Sequence, residues 1–114
     1  MHLQIDVERR AAFTVLRPQG EIDFATGPRL KESITETLVA GEVHLVVDLL
    51  GVDFIESTGL GALIGGRRRA EALNGSLSLV CGEEQLLEVF RITGLDKVFA
   101  IYASVEDAVA REVA

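Results

Sequence analysis

Val52-Asp53-Phe54-Ile55-Glu56-Ser57-Thr58-Gly59-Leu60-Gly61-Ala62-Leu63-Ile64-Gly65-Gly66 joins two unlike patterns. Before it, Val43 to Leu50 is nearly continuous in aliphatic residues, as in a parallel strand covered by helices on both faces. After a linker, Ser57 opens a helix with apolar positions at Leu60, Leu63, Ile64, Ala70 and Leu73, and Asn74-Gly75 stops it. Strand, glycine-rich turn and helix make the unit of an α/β layer. Sites form at such turns, where a helix N-terminus offers unbonded N–H groups and a partial positive charge.

The flanking sequence repeats the alternation. Leu3 to Val7 alternates apolar and polar, as a half-buried strand does. Ala12 to Leu16 reads as its antiparallel partner across a turn at residues 7–11, and Gln19-Gly20 breaks the pattern. Thr26 as a cap, with Pro28 close behind, starts a helix whose inner face is Leu30, Ile34 and Leu38 and which Gly41 ends. Leu77 to Cys81 is another strand. Glu84 to Arg91 is a short helix with Leu86, Leu87 and Phe90 inward, stopped at Gly94. Val98 to Tyr102 is a last strand, and Ser104 with Asp107 caps a final helix running to the C-terminus. The expected fold is α/β: a mixed sheet with parallel central strands, an antiparallel N-terminal pair and about four helices.

The composition narrows the function. A chain of 114 residues holds one domain, 1–114. Its net charge of -7 argues against direct binding of nucleic acid or of an anionic membrane surface. One cysteine, Cys81, and two histidines, His2 and His44, exclude an internal disulfide and a cysteine- or histidine-rich metal site. The N-terminus lacks the basic start and apolar run of a signal peptide. No apolar stretch reaches the ~18 residues of a membrane span. The expected location is the cytoplasm.

Four chemical readings of the glycine-rich turn fail. A P-loop has the spacing of Gly61 and Gly66, but Arg67 and Arg68 stand where Lys and Ser or Thr are needed. A dinucleotide fingerprint through Gly59, Gly61 and Gly65, with Glu83 as the ribose acid, is interrupted by residues 54–58, and the chain has no room for a substrate domain. A phosphorylated receiver would need an aspartate at a strand end, whereas Asp48 lies inside the apolar run, and Lys97 precedes the last strand. For hydrolysis, Ser57 has only His44 near it in sequence, at a strand start. A serine at a helix start is ordinarily a cap.

Four blocks in order, spread over most of the chain, resemble the bacterial anti-sigma-factor antagonists, which are single STAS domains. They are Gly20-Glu21-Ile22-Asp23; Val47-Asp48-Leu49 with Val52-Asp53-Phe54; Glu56-Ser57-Thr58-Gly59-Leu60-Gly61; and Phe90-Arg91-Ile92-Thr93-Gly94-Leu95 with Val98-Phe99. The resemblance implies a partner-switching protein. Members bind an anti-sigma factor and so release its sigma factor. The anti-sigma factor is typically a serine kinase that uses ATP to phosphorylate the antagonist, and a serine phosphatase resets it. No cofactor of the chain's own is implied. By the same resemblance Ser57 is the phosphoacceptor, Asp23 an acid near it, and Thr58 a second hydroxyl that is not the usual acceptor. The recognition surface would comprise Asp23, Asp53, Glu56, Ser57, Thr58, Gly59 and Gly61. Glu56 departs from the family's aspartate by one methylene, which bears on the geometry presented to the kinase. The alternative is a STAS scaffold or sensor that binds a nucleotide or other ligand without phosphoswitching.

Several residues carry two readings. Gly59 and Gly61 cost helix stability, roughly 1 kcal/mol each against alanine; they serve either close packing or a docking partner. Asp23 caps its helix or serves recognition. Phe54 and Ile55 fill the core or meet a partner. Arg67, Arg68 and Arg69 point about 100° apart around a helix and read as a solvated face with pairing to Glu71. Cys81 reads as a small core residue.

Overall fold

A computed structural model describes residues 3–111 and 113. The parts of the expected 1–114 domain and of its last helix that fall on Met1, His2, Glu112 and Ala114 lie outside the described residues. The strands are β1 (Gln4–Arg10), β2 (Phe13–Ile22), β3 (His44–Asp48), β4 (Val52–Ile55), β5 (Ser76–Val80) and β6 (Ile101–Tyr102). The helices are α1 (Gly27–Val39), α2 (Ser57–Ala72), α3 (Glu84–Ile92) and α4 (Val105–Val109), with a 3-10 turn at Leu95–Lys97. The sheet runs β1-β2-β3-β5-β6, antiparallel only between β1 and β2, and β4 lies against β2 off that path. This is the mixed α/β sheet that the sequence pattern predicts.

Alternation along the strands sorts side chains to two faces. Leu16, Leu45, Val47, Leu77 and Leu79 meet Leu30, Ile34, Leu63 and Phe90 of α1, α2 and α3 in the main core. Phe13, Val15, Val46 and Val80 point the other way, under Val105 and Ala108 of α4. The continuous aliphatic run therefore does mark a strand covered on both sides, although α4 covers only part of the second face. Arg17 occupies another part. Its Nε lies 3.3 Å from Asp48 and its guanidinium 2.7 Å from Glu8, and these carboxylates, Glu8 first, hold its charge more firmly than usual.

Several expected boundaries move. The tight turn of β1–β2 is only Ala11 and Ala12, with Ala11 at φ 55°. β2 continues through Pro18 and Gly20, where the sequence pattern breaks. Pro18 falls between the rows paired to β3 (Leu16 with Val47) and to β4 (Gly20 with Val52), so on that edge its missing N–H interrupts no ladder. The expected linker before α2 contains β4. Asp48 ends β3 rather than lying inside it; its carboxylate accepts from the Leu50 N–H at 2.9 Å and pairs with Arg17. The last strand shrinks to Ile101–Tyr102 because the 3-10 turn at Leu95–Lys97 intervenes and the chain after it buries Phe99 against Phe90. α4 starts at its expected cap, Ser104 Oγ accepting from Asp107 N at 3.1 Å, but ends at Val109. Beyond it Arg111 lays its guanidinium over Phe13, 4.8 Å from the ring centre, and donates to Ser78 Oγ at 3.0 Å.

Asp48→Ala should cost about 1–3 kcal/mol, because the Leu50 N–H and half of the Arg17 fork lose a largely buried acceptor. Urea unfolding compared with wild type measures it; a change within error would show that Glu8 alone suffices for Arg17.

Candidate functional site

The site forms where β2 and β4 end side by side. They pair in parallel, Glu21 with Phe54 and Ile22 with Ile55. The Glu56 N–H then donates to Ile22 O at 3.0 Å. Asp23 follows Ile22, and Ser57 follows Glu56. Two segments over thirty positions apart in sequence are thus held at one end of the sheet. A register shift between Gly20 and Glu21 makes this geometry. Gly20 takes φ 115°, open to glycine at little cost, and Asp53 is left unpaired between Val52 and Phe54 as a bulge. Asp53 and Phe54 are consequently both exposed, while Ile55 is core.

Ser57 is exposed and is the first residue of α2. The cap position belongs to Glu56, in extended conformation, whose side chain makes no capping bond. The expectation that Ser57 is the cap is corrected accordingly: its hydroxyl leaves from within the first turn. The first intrahelical bond runs from Leu60 N to Glu56 O, so the N–H groups of Ser57, Thr58 and Gly59 precede the ladder.

The loop leading from β2 is locked. Asp23 Oδ1 accepts from Ala25 N at 2.9 Å and Thr26 N at 3.0 Å. The Thr26 hydroxyl accepts from Asp23 N at 2.9 Å, and its single proton lies between Glu21 O at 2.7 Å and Asp23 Oδ1 at 3.1 Å. Thr26 is buried and occupies the cap position of α1, yet its side chain does not cap that helix. It closes the loop instead, which corrects the reading of Thr26 as an ordinary cap. The Thr26 N–H is the main reason that the Asp23 carboxyl sits below its ordinary value of 3.8, helped by the Thr26 hydroxyl and the Ala25 N–H against some desolvation. Asp23 is therefore a loop clamp, whatever else it does.

The glycines divide. A Cβ on Gly59 would lie 2.5 Å from Ile22 Cγ2 and 2.8 Å from Ile55 Cγ1, so Gly59 lets α2 approach the ends of β2 and β4. A Cβ on Gly61 would meet nothing within 4 Å. Gly59 answers to packing; Gly61 does not. The structure thus gathers Asp23, Glu56, Ser57, Thr58, Gly59 and Gly61 at one end of the sheet. Asp53 stands back along β4 and shares a cleft with Glu83 and Gln85 of the α3 start. Two features escape sequence reading: Thr26 as the loop lock, and the seating of Gly27 against Thr58, where a Cβ would lie 2.5 Å from Thr58 Cγ2. Gly27 immediately before Pro28 is the one signal that could have flagged it. Phe24, 80% exposed, and Phe54, 45% exposed, add apolar surface to the same end.

Among the described residues no group of three His, Cys, Asp or Glu side chains is placed to hold a metal ion, and no helix is long and apolar enough to cross a membrane. Cys81 is buried, which pushes its thiol pKa up.

The chain belongs to the STAS domain family, whose model matches residues 4–108. It is similar to the anti-sigma-B factor antagonist of Bacillus subtilis, 32% identical over 109 residues that cover 96% of this chain and 99% of that one. Its fold superimposes on an anti-sigma factor antagonist from Mycobacterium paratuberculosis with a TM-score of 0.86 at 30% identity, covering 95% of this chain and 92% of the other. It shares its fold with the phosphorylated form of the Bacillus cell fate determinant SpoIIAA, with a TM-score of 0.72 at 24% identity and coverage of 95% and 98%. The relatives that carry the antagonist name are regulators.

Gly61→Ala should stabilise the fold by about 0.5–1 kcal/mol, since the methyl enters open space and favours helix. Gly59→Ala should destabilise it by about 1–3 kcal/mol, because backbone and two isoleucines must shift. Urea melts of both variants separate the roles; equal effects would show that the two glycines serve one purpose.

Asp23→Ala should lower the melting temperature at neutral pH. The folded pKa of Asp23 is depressed, so its contribution is present above pH 3.8 and is lost as pH falls through the folded value. The gap from wild type should narrow in acid, and melts across that range check it; a gap independent of pH would show that the ionised form is not what clamps the loop.

Proposed function

We propose that this protein is an anti-sigma-factor antagonist switched by phosphate on Ser57. Unphosphorylated, it binds an anti-sigma factor through the surface around Ser57 and so releases the sigma factor. The anti-sigma factor is a serine kinase that spends ATP on Ser57, and a serine phosphatase reverses the step. The chain is then a substrate of both rather than an enzyme, with no cofactor of its own, and works in the cytoplasm. The observation that carries this reading is the position of Ser57: exposed, in the first turn of α2, with its segment bonded to the strand end that precedes Asp23. Its relatives' names supply the partner class.

The electrostatics favour a switch that acts on binding rather than on folding. A phosphate on Ser57 brings about -1.5 to -2 charges beside Glu56 and Asp23. The N-terminal dipole of α2 offsets part of this, by about 0.3–1 kcal/mol, and Ser57 is not packed into the core, so the fold survives. An interface has no such offset. There the phosphate adds like-charge repulsion and a desolvation cost of several kcal/mol, enough to weaken binding by about a hundredfold or more. Glu56, one methylene longer than aspartate, sets how close its carboxylate stands to the transferring phosphoryl group.

Affinity capture from native extract, comparing wild type, Ser57→Ala and Ser57→Glu, tests the proposal. An anti-sigma kinase should come down with wild type and Ser57→Ala and be lost with Ser57→Glu, and kinase with ATP should modify wild type but not Ser57→Ala. Identical capture by all three, with modification of a residue other than Ser57, would overturn it.

A further inference from the structure

The Arg67-Arg68-Arg69 run does not form one solvated face. Arg67 pairs with Glu71 at 3.1 Å and Arg68 is exposed, as the sequence reading expects. Arg69 turns inward. It is partly buried, its Nε is sealed from solvent with no acceptor, and its strongest side-chain contact is Thr35 Oγ1 at 3.5 Å. A sealed guanidinium N–H without a partner is costly. Arg69 borders two spaces, an apolar one with Thr35, Leu38, Val39 and Leu73 and a groove between α1 and α2 that carries a second cation, Lys31.

That groove holds about 450 Å³ and is lined by Gly27, Lys31, Thr58, Gly61, Gly65 and Arg69 among others. No acidic side chain lines it, in a chain with 18 acids. The acids of α1 are engaged elsewhere: Arg29 lies 3.6 Å from Glu32 and 3.9 Å from Glu36. Lys31 and Arg69 take part in no ion pair among the described residues. The two glycines of α2 that pack against no other element keep the groove open. Gly61 faces empty space, and Gly65 lets the Arg69 guanidinium fold back over one turn, its Nη1 3.3 Å from where a Cβ would stand.

We propose that this groove binds a phosphate monoester, with Lys31 on the α1 wall and Arg69 on the α2 wall as the two cations that hold it. A monoester at neutral pH carries close to two negative charges, matching the two cations. Its oxygens suit a guanidinium fork, and the volume fits a small phosphorylated molecule. Ser57 does not line the groove, although Thr58 and Gly61 do, so the site adjoins the proposed switch surface without using its phosphoacceptor.

Amide NMR titration of the full chain with glycerol 3-phosphate, against glycerol at matched ionic strength, tests it. Saturable shifts should appear at Gly61 and Gly65 with glycerol 3-phosphate alone. Arg69→Ala and Lys31→Ala should each weaken binding by roughly tenfold or more, whereas Arg68→Ala and Ser57→Ala should bind as wild type does. Should Arg69→Ala fold poorly, Gly61→Leu fills the groove at a position with room for a side chain and should abolish binding in a folded protein. Phosphatidic-acid vesicles form a parallel arm: vesicle binding by wild type that the same two cation variants lose supports the site and assigns the phosphate to a lipid headgroup. Equal shifts in Arg69→Ala and Arg68→Ala, or a response to a polyglutamate peptide but to neither phosphate source, would overturn the proposal.

Discussion

One edge of β2 carries two successive parallel partners, and the functional end of the molecule depends on that arrangement. β3 takes the first half of the strand and β4 the second. Between them the chain must turn at residues 49–51 and rejoin the same edge. Three local features allow it: Asp48 accepting from the Leu50 N–H, the Gly20 N–H donating to Gly51 O at 3.0 Å, and the positive φ of Gly20. Without β4 on that edge, the Glu56 N–H has no Ile22 carbonyl to meet, and the Ser57 turn is not set beside the Asp23 loop. The ion pair of Arg17 and Asp48 braces the back of this turn.

From that arrangement the site inherits a division of labour. Ile22, Ile55 and Gly59 form a packed base. The Asp23–Thr26 lock makes one wall out of hydrogen bonds alone. Upon these, Ser57, Phe24 and Phe54 stand exposed and Glu56 half-buried. A surface that must meet one partner in two chemical states gains from such a base. The charge added at Ser57 falls on a rigid platform and is felt across the interface instead of being absorbed by local unfolding.

α2 carries two faces with different duties. Toward the sheet it presents Gly59, Ala62, Leu63, Gly66 and Ala70, all but Leu63 small; Gly59 brings it close to β2 and β4, and Gly66 to α1 and β5. A Cβ on Gly66 would lie 2.9 Å from Ile34 Cγ2. Along its flank, Gly61 and Gly65 leave a groove whose cations the other ion pairs of the molecule do not use. The helix is thus weaker in intrinsic propensity than its length suggests, and holds through burial. Leu73, expected on its apolar face, is 51% exposed, because the helix ends there as Asn74 takes the left-handed conformation at φ 63°.

The sequence by itself determined the layer class, the three long helices with their inner residues Leu30, Ile34, Leu38, Leu63 and Phe90, and the antiparallel start. These rest on periodicity and turn chemistry, which act over a few residues. It also marked the glycine-rich turn, because Gly59 and Gly61 violate helix propensity at a helix start. Only the tertiary structure decided that β2 runs through Pro18 and Gly20, that the linker is a strand, that Thr26 locks a loop rather than capping a helix, and that Arg69 turns inward. The physical reason is that each is set by surroundings that local propensity does not describe. The first two and the last depend on a partner distant in the chain, β4 for Gly20 and the α1 wall for Arg69, while Thr26 reaches back only five residues to Glu21 O, in a loop whose shape the end of β2 sets. Local propensity at these positions is weak or opposed, so long-range pairing and burial set the outcome.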